Sequence, residues 1–223
     1  MDSGKEARER KRLNNLYIYE NDLAIYGLRL VAGVDEAGRG PLAGPLLVAA
    51  VILPGEVYIP GLNDSKQLTP SRRAAIYAAV KAVAVAVATC VVDVDLIDRL
   101  NIYQATVYGM REAVRKLAVP PDAVLIDAVP VDGLQVPIFP LVKGDTLSAS
   151  IAAASVVAKV ERDRLMEAMD STYPGYGFKI HKGYPTPSHL AALERLGPCP
   201  IHRKSFAPVK ACWANRAGVA GDA

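Results

Sequence analysis

The sequence predicts an α/β fold, one central sheet carrying helices, followed by a smaller basic segment. Three observations support that reading. Apolar, β-branched runs alternate along the chain with helical patterns. Asp35, Asp127 and Asp145 each fall at or just beyond the end of such a run, where open α/β sheets place their sites. After Ser171 the composition turns basic and aromatic. The 223 residues, 51% hydrophobic and 22% charged, suffice for one substantial core and exclude a disordered chain.

The elements follow in order. "MDSGKEARERKRLNN" is charged throughout and has no apolar core, so it is no secretory signal. Residues 1–28 are expected to form a solvated, basic helical extension. Leu30 to Asp35 is a buried strand and Leu46 to Leu53 its hairpin partner, with Gly-Pro punctuation between them. "LTPSRRAAIYAAVKAV" predicts a helix capped by Thr69, with Pro70 at its first position. "VAVATCVVDV" is a β-branched strand. The triplet Asp93, Asp95 and Asp98 after it looks metal-like, but helix capping explains it better. Residues 102–117 form a helix with Ile102, Val107, Met110, Val114 and Leu117 on its apolar side. "AVLID" is a buried strand ending at Asp127, and "FPLVKGD" a short one ending at Asp145. "TLSASIAAASVVAKVERDRLMEAM" is a long helix whose Ala- and Ser-rich first half allows close packing on a sheet. Beyond Ser171, prolines and glycines leave one short helix near Ser188 to Leu196. The sheet domain therefore spans residues 29–170 and the basic, aromatic-rich region 171–223.

Charge and cysteine usage narrow the function. Between Ser171 and Cys212, Lys179, Lys182, Arg195, Arg203, Lys204 and Lys210 face the single acid Glu194. That surplus of five exceeds the whole-chain net of +3, so the remainder is net negative. Tyr173, Tyr176, Phe178, Tyr184, Phe206 and all three histidines share the window, a combination suited to nucleic acid. A solvated basic face over a small aromatic core would read the same way. Apolar runs stop short of the ~20 residues of a membrane span. Three scattered cysteines form neither a disulfide framework nor a zinc site, and a cytoplasmic location is expected. "GRGPLAG" has one residue too many for G-x-G-x-x-G, and no G-K-[ST] occurs, which argues against those nucleotide-binding modes.

The strand-end acids carry the chemistry. Asp35 and Glu36 would point to opposite faces of a regular strand. They can share a site only if the strand ends there, and Gly38 soon follows. Four converging acids repel at low dielectric, so some are protonated or a cation joins them. Oxygen-only donors favour Mg²⁺ or Mn²⁺ over zinc. Any one of these acids could instead form a turn, and Asp145 with Thr146 could cap the long helix.

Six ordered motifs resemble the ribonuclease HII (type 2 ribonuclease H) family over Val31 to Val209. They are "GVDEAGRGPLAGP", "LNDSKQLTPSRR", "NIYQATVYGMREAV", "VLIDAV", "VKGDTLSASIAAASVVAKVERDR" and the C-terminal pair "YPGYGFKIHKGYPTPSHLAAL" with "GPCPIHRKSFAPV". Ala128 stands where a Gly is often expected. Residues 1–29 and 214–223 lie outside the resemblance. It implies a ribonuclease H-like mixed central sheet flanked by helices, with a small helical C-terminal extension. It implies an endoribonuclease that hydrolyses RNA in RNA–DNA hybrids and cuts 5′ to single ribonucleotides in duplex DNA. Asp35, Glu36, Asp127 and Asp145 match the family's metal-binding catalytic acids. Gly38, Arg39 and Gly40 match its loop at the 2′-hydroxyl, and Tyr184 its tyrosine at the RNA–DNA junction.

Two Mg²⁺ or Mn²⁺ ions suit such a hydrolysis, with Asp35 as the bridging ligand. Ser65, Lys66, Lys143, Lys182 and Arg203 are further substrate candidates, although each lysine or arginine could be ordinary surface charge. The expected partners are RNA–DNA hybrid and ribonucleotide-containing duplex, with no membrane. A monomer is expected, and no protein partner is readable. A non-catalytic hybrid-binding module and a different metal-dependent nuclease on the same fold are the alternatives.

Overall fold

The computed structural model describes residues 3–219, so both chain ends, parts of the N-terminal extension and of the 214–223 tail, lie outside the described residues. The chain opens with α1 (Ser3–Leu16) and α2 (Ile18–Ile25), as the charged N-terminus predicts. They are not merely solvated. Leu13, Leu16 and Tyr17 are buried. Arg12 donates to the Leu62 carbonyl at 2.9 Å, Glu9 accepts from the Gly61 amide at 2.8 Å, and the Tyr17 hydroxyl donates to the Val57 carbonyl at 3.1 Å.

Strand β1 (Val31–Ala37) precedes β2 (Leu46–Ile52), whose seven residues are all buried. Helix α3 (Pro70–Val83) starts as predicted, with the Thr69 hydroxyl accepting from the Arg72 amide at 3.4 Å. Strand β3 (Ala86–Val92) leads to α4 (Val94–Leu100), where Asp93 accepts from the Leu96 amide at 2.8 Å as the cap. Helix α5 (Ile102–Arg115) and β4 (Ala123–Asp127) match their apolar patterns. Strand β5 (Ile138–Leu141) is shorter than expected. It ends before Asp145, which sits in a 3₁₀ turn over Gly144–Thr146. Lys143, at φ +60°, breaks the extended conformation between them.

Helix α6 (Ala149–Thr172) is capped by Ser148, whose Oγ accepts from the Ile151 amide at 3.2 Å, not by Asp145 or Thr146. Beyond it stand α7 (Phe178–His181), α8 (Pro187–Leu196) and α9 (Ala207–Val219). Of these only α8 shows in the sequence pattern. Helix α9 follows a stretch dense in proline and cations and has little amphipathic signal of its own.

The five strands form one mixed sheet in the order β3-β2-β1-β4-β5, with β1, β4 and β5 parallel. The β1–β4 register runs from Val31↔Ala123 to Val34↔Ile126 and stops there. Asp35 and Glu36 therefore lie past the last residue paired to β4, although the strand conformation continues to Ala37. At Gly33 α6 approaches the strand closely: a Cβ there would fall on the backbone of Ser150 and Ile151. The Ala- and Ser-rich half of α6 answers the same constraint.

Two compact units make up the chain. The first takes residues up to 37, 48–90 and 107–160. The second takes 38–47, 91–106 and those from 161 on. In the first, Val31, Leu125 and Ile151 pack with Tyr19, Leu23 and Leu141. In the second, Ala43, Met166, Tyr176, Phe178 and Ala192 form one cluster, and Leu42, Leu193 and Val209 with Phe206 another. Each large apolar side chain so buried contributes roughly 1.5–3 kcal/mol.

Candidate active site

The acids belong to the first unit. Asp35 is 3% exposed, and its Oδ1 accepts from the Glu36 amide at 2.8 Å. Burial raises its carboxyl well above the usual range, and the charges of Glu36 and Asp127 push the same way. A hydrogen bond with Ser155 and the Glu36 amide only partly oppose this. Asp127, at the end of β4, accepts from the Gly144 amide at 2.7 Å and so ties the β4 end to the turn carrying Asp145. That turn is tight: a Cβ on Gly144 would meet Ile151 Cδ1 at 2.6 Å and the Asp127 Cα at 3.5 Å. Asp145 is buried, and its carboxyl is raised by burial, then by the charges of Asp64 and Asp127.

A cation already serves these acids. Lys66 Nζ lies 3.6 Å from Asp145 Oδ2. Burial lowers its proton affinity, but the charges of Asp35, Asp64, Asp145 and Asp127 outweigh that and raise it. Lys66 is thus a counterion to the carboxylates in this state, while its side chain stays 75% exposed and able to swing out. Ser65, expected at the substrate, is buried, and its Oγ accepts from Ser155 Oγ at 2.9 Å, the serine that also hydrogen-bonds Asp35. It supports the acid. Lys143 is exposed.

The glycine-rich loop belongs to the second unit, where two buried arginines hold it. Arg203 was expected at phosphate. Its guanidinium is instead fully buried, donating to the carbonyls of Gly38 at 2.6 Å, Arg39 at 2.9 Å and Gly44 at 2.9 Å. With its donors on backbone and no exposure, it shapes the loop. Arg162, also buried, donates to the carbonyls of Pro45 at 3.0 Å, Lys182 at 3.0 Å and Ala43 at 3.3 Å. Burial lowers both guanidiniums, Arg203 to about 9, where the Arg162 charge adds to the effect. Gly38, at φ +100°, has no room for a side chain: a Cβ would strike the Arg162 guanidinium.

Tyr184 is 40% exposed, with the Arg162 guanidinium 5.8 Å from its ring centroid and Gly40 beside its ring edge. Arg39 and Gly40 are exposed. Lys182, a phosphate candidate, is engaged by Glu167 at 2.7 Å.

Several of these residues escaped the sequence reading. Asp64 joins Asp35 and Asp145 as a buried carboxylate, capping the 3₁₀ turn at Ser65–Gln67 and hydrogen-bonded to the Asp145 side chain. Its signal was the "NDSK" run itself. Arg162 continues the buried Ala154, Ala158, Met166 stripe of α6, so a cation in an apolar stripe was the clue. Asp98 accepts from the amides of Lys204 at 2.8 Å and Ser205 at 2.9 Å, a tether beyond capping.

The donor set suits a hard divalent cation. The donors are carboxylate oxygens, and Asp35 carries the excess proton affinity that crowded, buried negative charge produces. Among the described residues, no three such side chains are gathered tightly enough to chelate an ion as they stand. An incoming cation would have to draw them together.

Comparison with known proteins agrees in family. A family model described as Ribonuclease HII matches residues 32–209. Ribonuclease HII of Pelotomaculum thermopropionicum is 54% identical over 217 residues, covering 96% of this chain and 82% of that protein. Ribonuclease HII of Moorella thermoacetica is 54% identical over 200 residues, covering 90% and 97%. Among solved structures, ribonuclease H2 from Pyrococcus horikoshii OT3 superposes with a TM-score of 0.72 at 26% identity, covering 83% of this chain and 97% of that one. Bst-RNase HIII in complex with Mn²⁺ shares the fold, with a TM-score of 0.63 at 21% identity, covering 83% and 70%.

Proposed function

The chain belongs to the ribonuclease HII family, and from that premise we propose that its buried acids form the metal-dependent centre of an endoribonuclease. It is a ribonuclease H acting on RNA in RNA–DNA hybrids. The finer reading is that it also cuts 5′ to a lone ribonucleotide in duplex DNA, leaving 5′-phosphate and 3′-hydroxyl ends.

Asp35, Glu36, Asp127 and Asp145 are the residues to hold Mg²⁺ or Mn²⁺. Bound there, two such ions would activate water and stabilise the departing 3′-oxygen. Asp35, the most buried and the most perturbed by its neighbours, would be central among the residues that hold the ions. Lys66 neutralises the acids before the cation arrives and is long and exposed enough to move to a phosphate afterwards. Arg203 fixes the backbone of Gly38 and Arg39, and Arg162 packs against Gly38 and holds the following carbonyls of Ala43 and Pro45. An approach by main-chain groups to a 2′-hydroxyl, which separates RNA from DNA locally, needs such rigidity. Tyr184 offers its ring to the sugar at the junction. Residues 29–170 then supply the acids, while beyond residue 171 the exposed Lys179, Lys204, Lys210 and Tyr184, rather than the buried Arg203, Tyr176, Phe178 and histidines, offer a surface to the duplex.

The single observation that carries this reading is the Asp35 carboxyl, buried and driven up in proton affinity by Glu36 and Asp127. The deciding experiment maps cleavage of three duplexes, a long hybrid, a duplex with one ribonucleotide and an all-DNA control, with Mg²⁺, Mn²⁺ or chelator. Cutting of the first two, 5′ to the lone ribonucleotide and abolished by chelator, is expected. Equal cutting of all-DNA duplex would indicate a different nuclease. Binding without cutting in either metal would indicate a hybrid-binding module.

A further inference from the structure

All three histidines of the chain meet in the second unit behind the Tyr184 loop. His189 and His202 are 0% and 1% exposed, and His181 is nearly as buried. His181 and His189 stack with ring centroids 4.4 Å apart. Phe178 stands edge-on to both, at 5.9 and 5.5 Å, and Tyr176 stacks on Phe178 at 5.1 Å.

Backbone groups at the two ends of this cluster settle which nitrogens carry protons. The Cys199 amide donates to His202 Nδ1 at 2.9 Å, closer than the Cys199 carbonyl at 3.3 Å, so that nitrogen accepts and the proton sits on Nε2. His202 Nε2 lies 3.2 Å from His189 Nε2, which must therefore accept. His189 then carries its proton on Nδ1, 2.9 Å from the Tyr184 carbonyl, which can only accept. The chain is consistent from either end. His181 is fixed separately. The Gly183 amide donates to its Nδ1 at 3.1 Å, and its Nε2–H faces the Tyr176 carbonyl at 2.8 Å.

We infer that His202 and His189 are positioning residues, a neutral relay that holds the Tyr184 backbone and through it sets the junction preference of the enzyme. The Tyr184 amide donates to the His181 carbonyl at 2.9 Å, and its carbonyl takes the His189 Nδ1–H and the Thr186 amide. Gly183, just before it, donates nothing away from this frame: its carbonyl accepts from the Leu42 amide at 2.8 Å. A Cβ on Gly183 would collide with the Ala43 carbonyl, so this segment has one seat. Without His202, His189 Nε2 loses its donor, both neutral tautomers become accessible, and in one of them Nδ1 faces the Tyr184 carbonyl without a proton. Water cannot repair the defect in so closed a site. Burial supports the neutral forms by holding His189 and His202 below the usual imidazole range, His202 at about 4.

The inference rests on the reading that Tyr184 meets the junction sugar, and two readouts separate the two. The first is the ¹⁵N side-chain spectrum of the uncleaved, full-length enzyme at neutral pH. It should show His189 as the Nδ1–H tautomer and His202 as Nε2–H, and in His202→Leu the His189 signals should move toward a mixture. A charged or Nε2–H His189 in the wild type overturns the relay. The second is the ratio of kcat/KM on the lone-ribonucleotide duplex to that on a long hybrid. His202→Leu should lower it roughly tenfold, and His202→Gln, which keeps an N–H donor, should restore most of it. Should Tyr184→Ala lower the ratio while a folded His202→Leu leaves it unchanged, the relay is overturned. Should Tyr184→Ala leave the ratio unchanged, the junction reading of Tyr184 fails, and with it this inference as a determinant of preference, whatever the tautomers.

Discussion

Arg203 donates through Nη2 to the carbonyl of Gly38 at 2.6 Å from a position that solvent does not reach. The same guanidinium also holds Arg39 and Gly44, so one side chain from the C-terminal region fixes the backbone immediately after the Asp35-Glu36 pair in the chain. A second buried cation, Arg162, holds the Ala43 and Pro45 carbonyls further along, and for both arginines carbonyl dipoles are the main compensation. Burial, with the Arg162 charge beside it, lowers the Arg203 guanidinium to about 9, so it remains charged at neutral pH.

Arg203→Lys tests the loop role against the phosphate role. An ammonium keeps the charge but cannot span Gly38, Arg39 and Gly44 with a planar fork. Leaving those carbonyls unsatisfied should cost about 2–4 kcal/mol in urea unfolding. The salt dependence of hybrid binding should keep its slope, because no phosphate contact is lost. A stable variant whose slope drops by about one would return Arg203 to the phosphate.

Asp35→Asn should abolish cleavage while leaving hybrid binding largely intact. It should also raise the melting temperature of the metal-free protein, since it removes a buried carboxyl whose charge Glu36 and Asp127 oppose. Mn²⁺ should raise the melting temperature of the wild type by preferential binding to the folded state, and much less that of the variant. An equal shift in both would show that the ion binds elsewhere.

Ala128 sits at φ +51°, directly after Asp127, and donates its amide to the Leu141 carbonyl at 2.9 Å. A left-handed alanine costs roughly 1–2 kcal/mol, and glycine would relieve that while losing 0.5–1 kcal/mol to chain entropy. Ala128→Gly should therefore stabilise by about 0.5–1 kcal/mol, a rise of a few degrees at most in melting temperature. A fall would mean that the turn gains more from the methyl group than from relaxed dihedrals.

What was legible in the sequence was local. Thr69-Pro70 starts α3 and Asp93 starts α4 because capping needs only residues within one turn. The acids at the ends of β1 and β4 were legible because a strand end is marked by the loss of apolar neighbours. Pairings remote in sequence were not. Arg203 reads as surface charge until its partners, Gly38 and Gly44, are brought to it from far upstream. Asp145 read as a strand end because nothing in "LVKGD" announces that Lys143 turns left-handed. Asp64 was hidden by its role as a local cap, which accounts for an aspartate there without its bond to Asp145.

The histidine cluster makes the fold acid-sensitive in a defined window. Burial depresses His202 from an ordinary 6.5 to about 4 and lowers His189 as well. Facing His202 are His189, the Cys199 thiol and the Tyr176 ring. Between about pH 6.5 and 4 the unfolded chain binds protons at His202 that the folded chain refuses, so stability falls as pH falls through that window. Above it the group contributes no slope. The full effect is roughly 3 kcal/mol, from a shift of that size in a closed site. Asp35 and Asp145, with raised carboxyls, titrate with the opposite sign, so the readout is the difference between wild type and His202→Gln rather than the raw curve. Urea unfolding at pH 7.5, 6 and 5 should show the wild type losing stability relative to the variant at each step down. Parallel curves would mean that His202 takes up its proton in the folded state, and that the Cys199 amide does not hold its Nδ1 as placed.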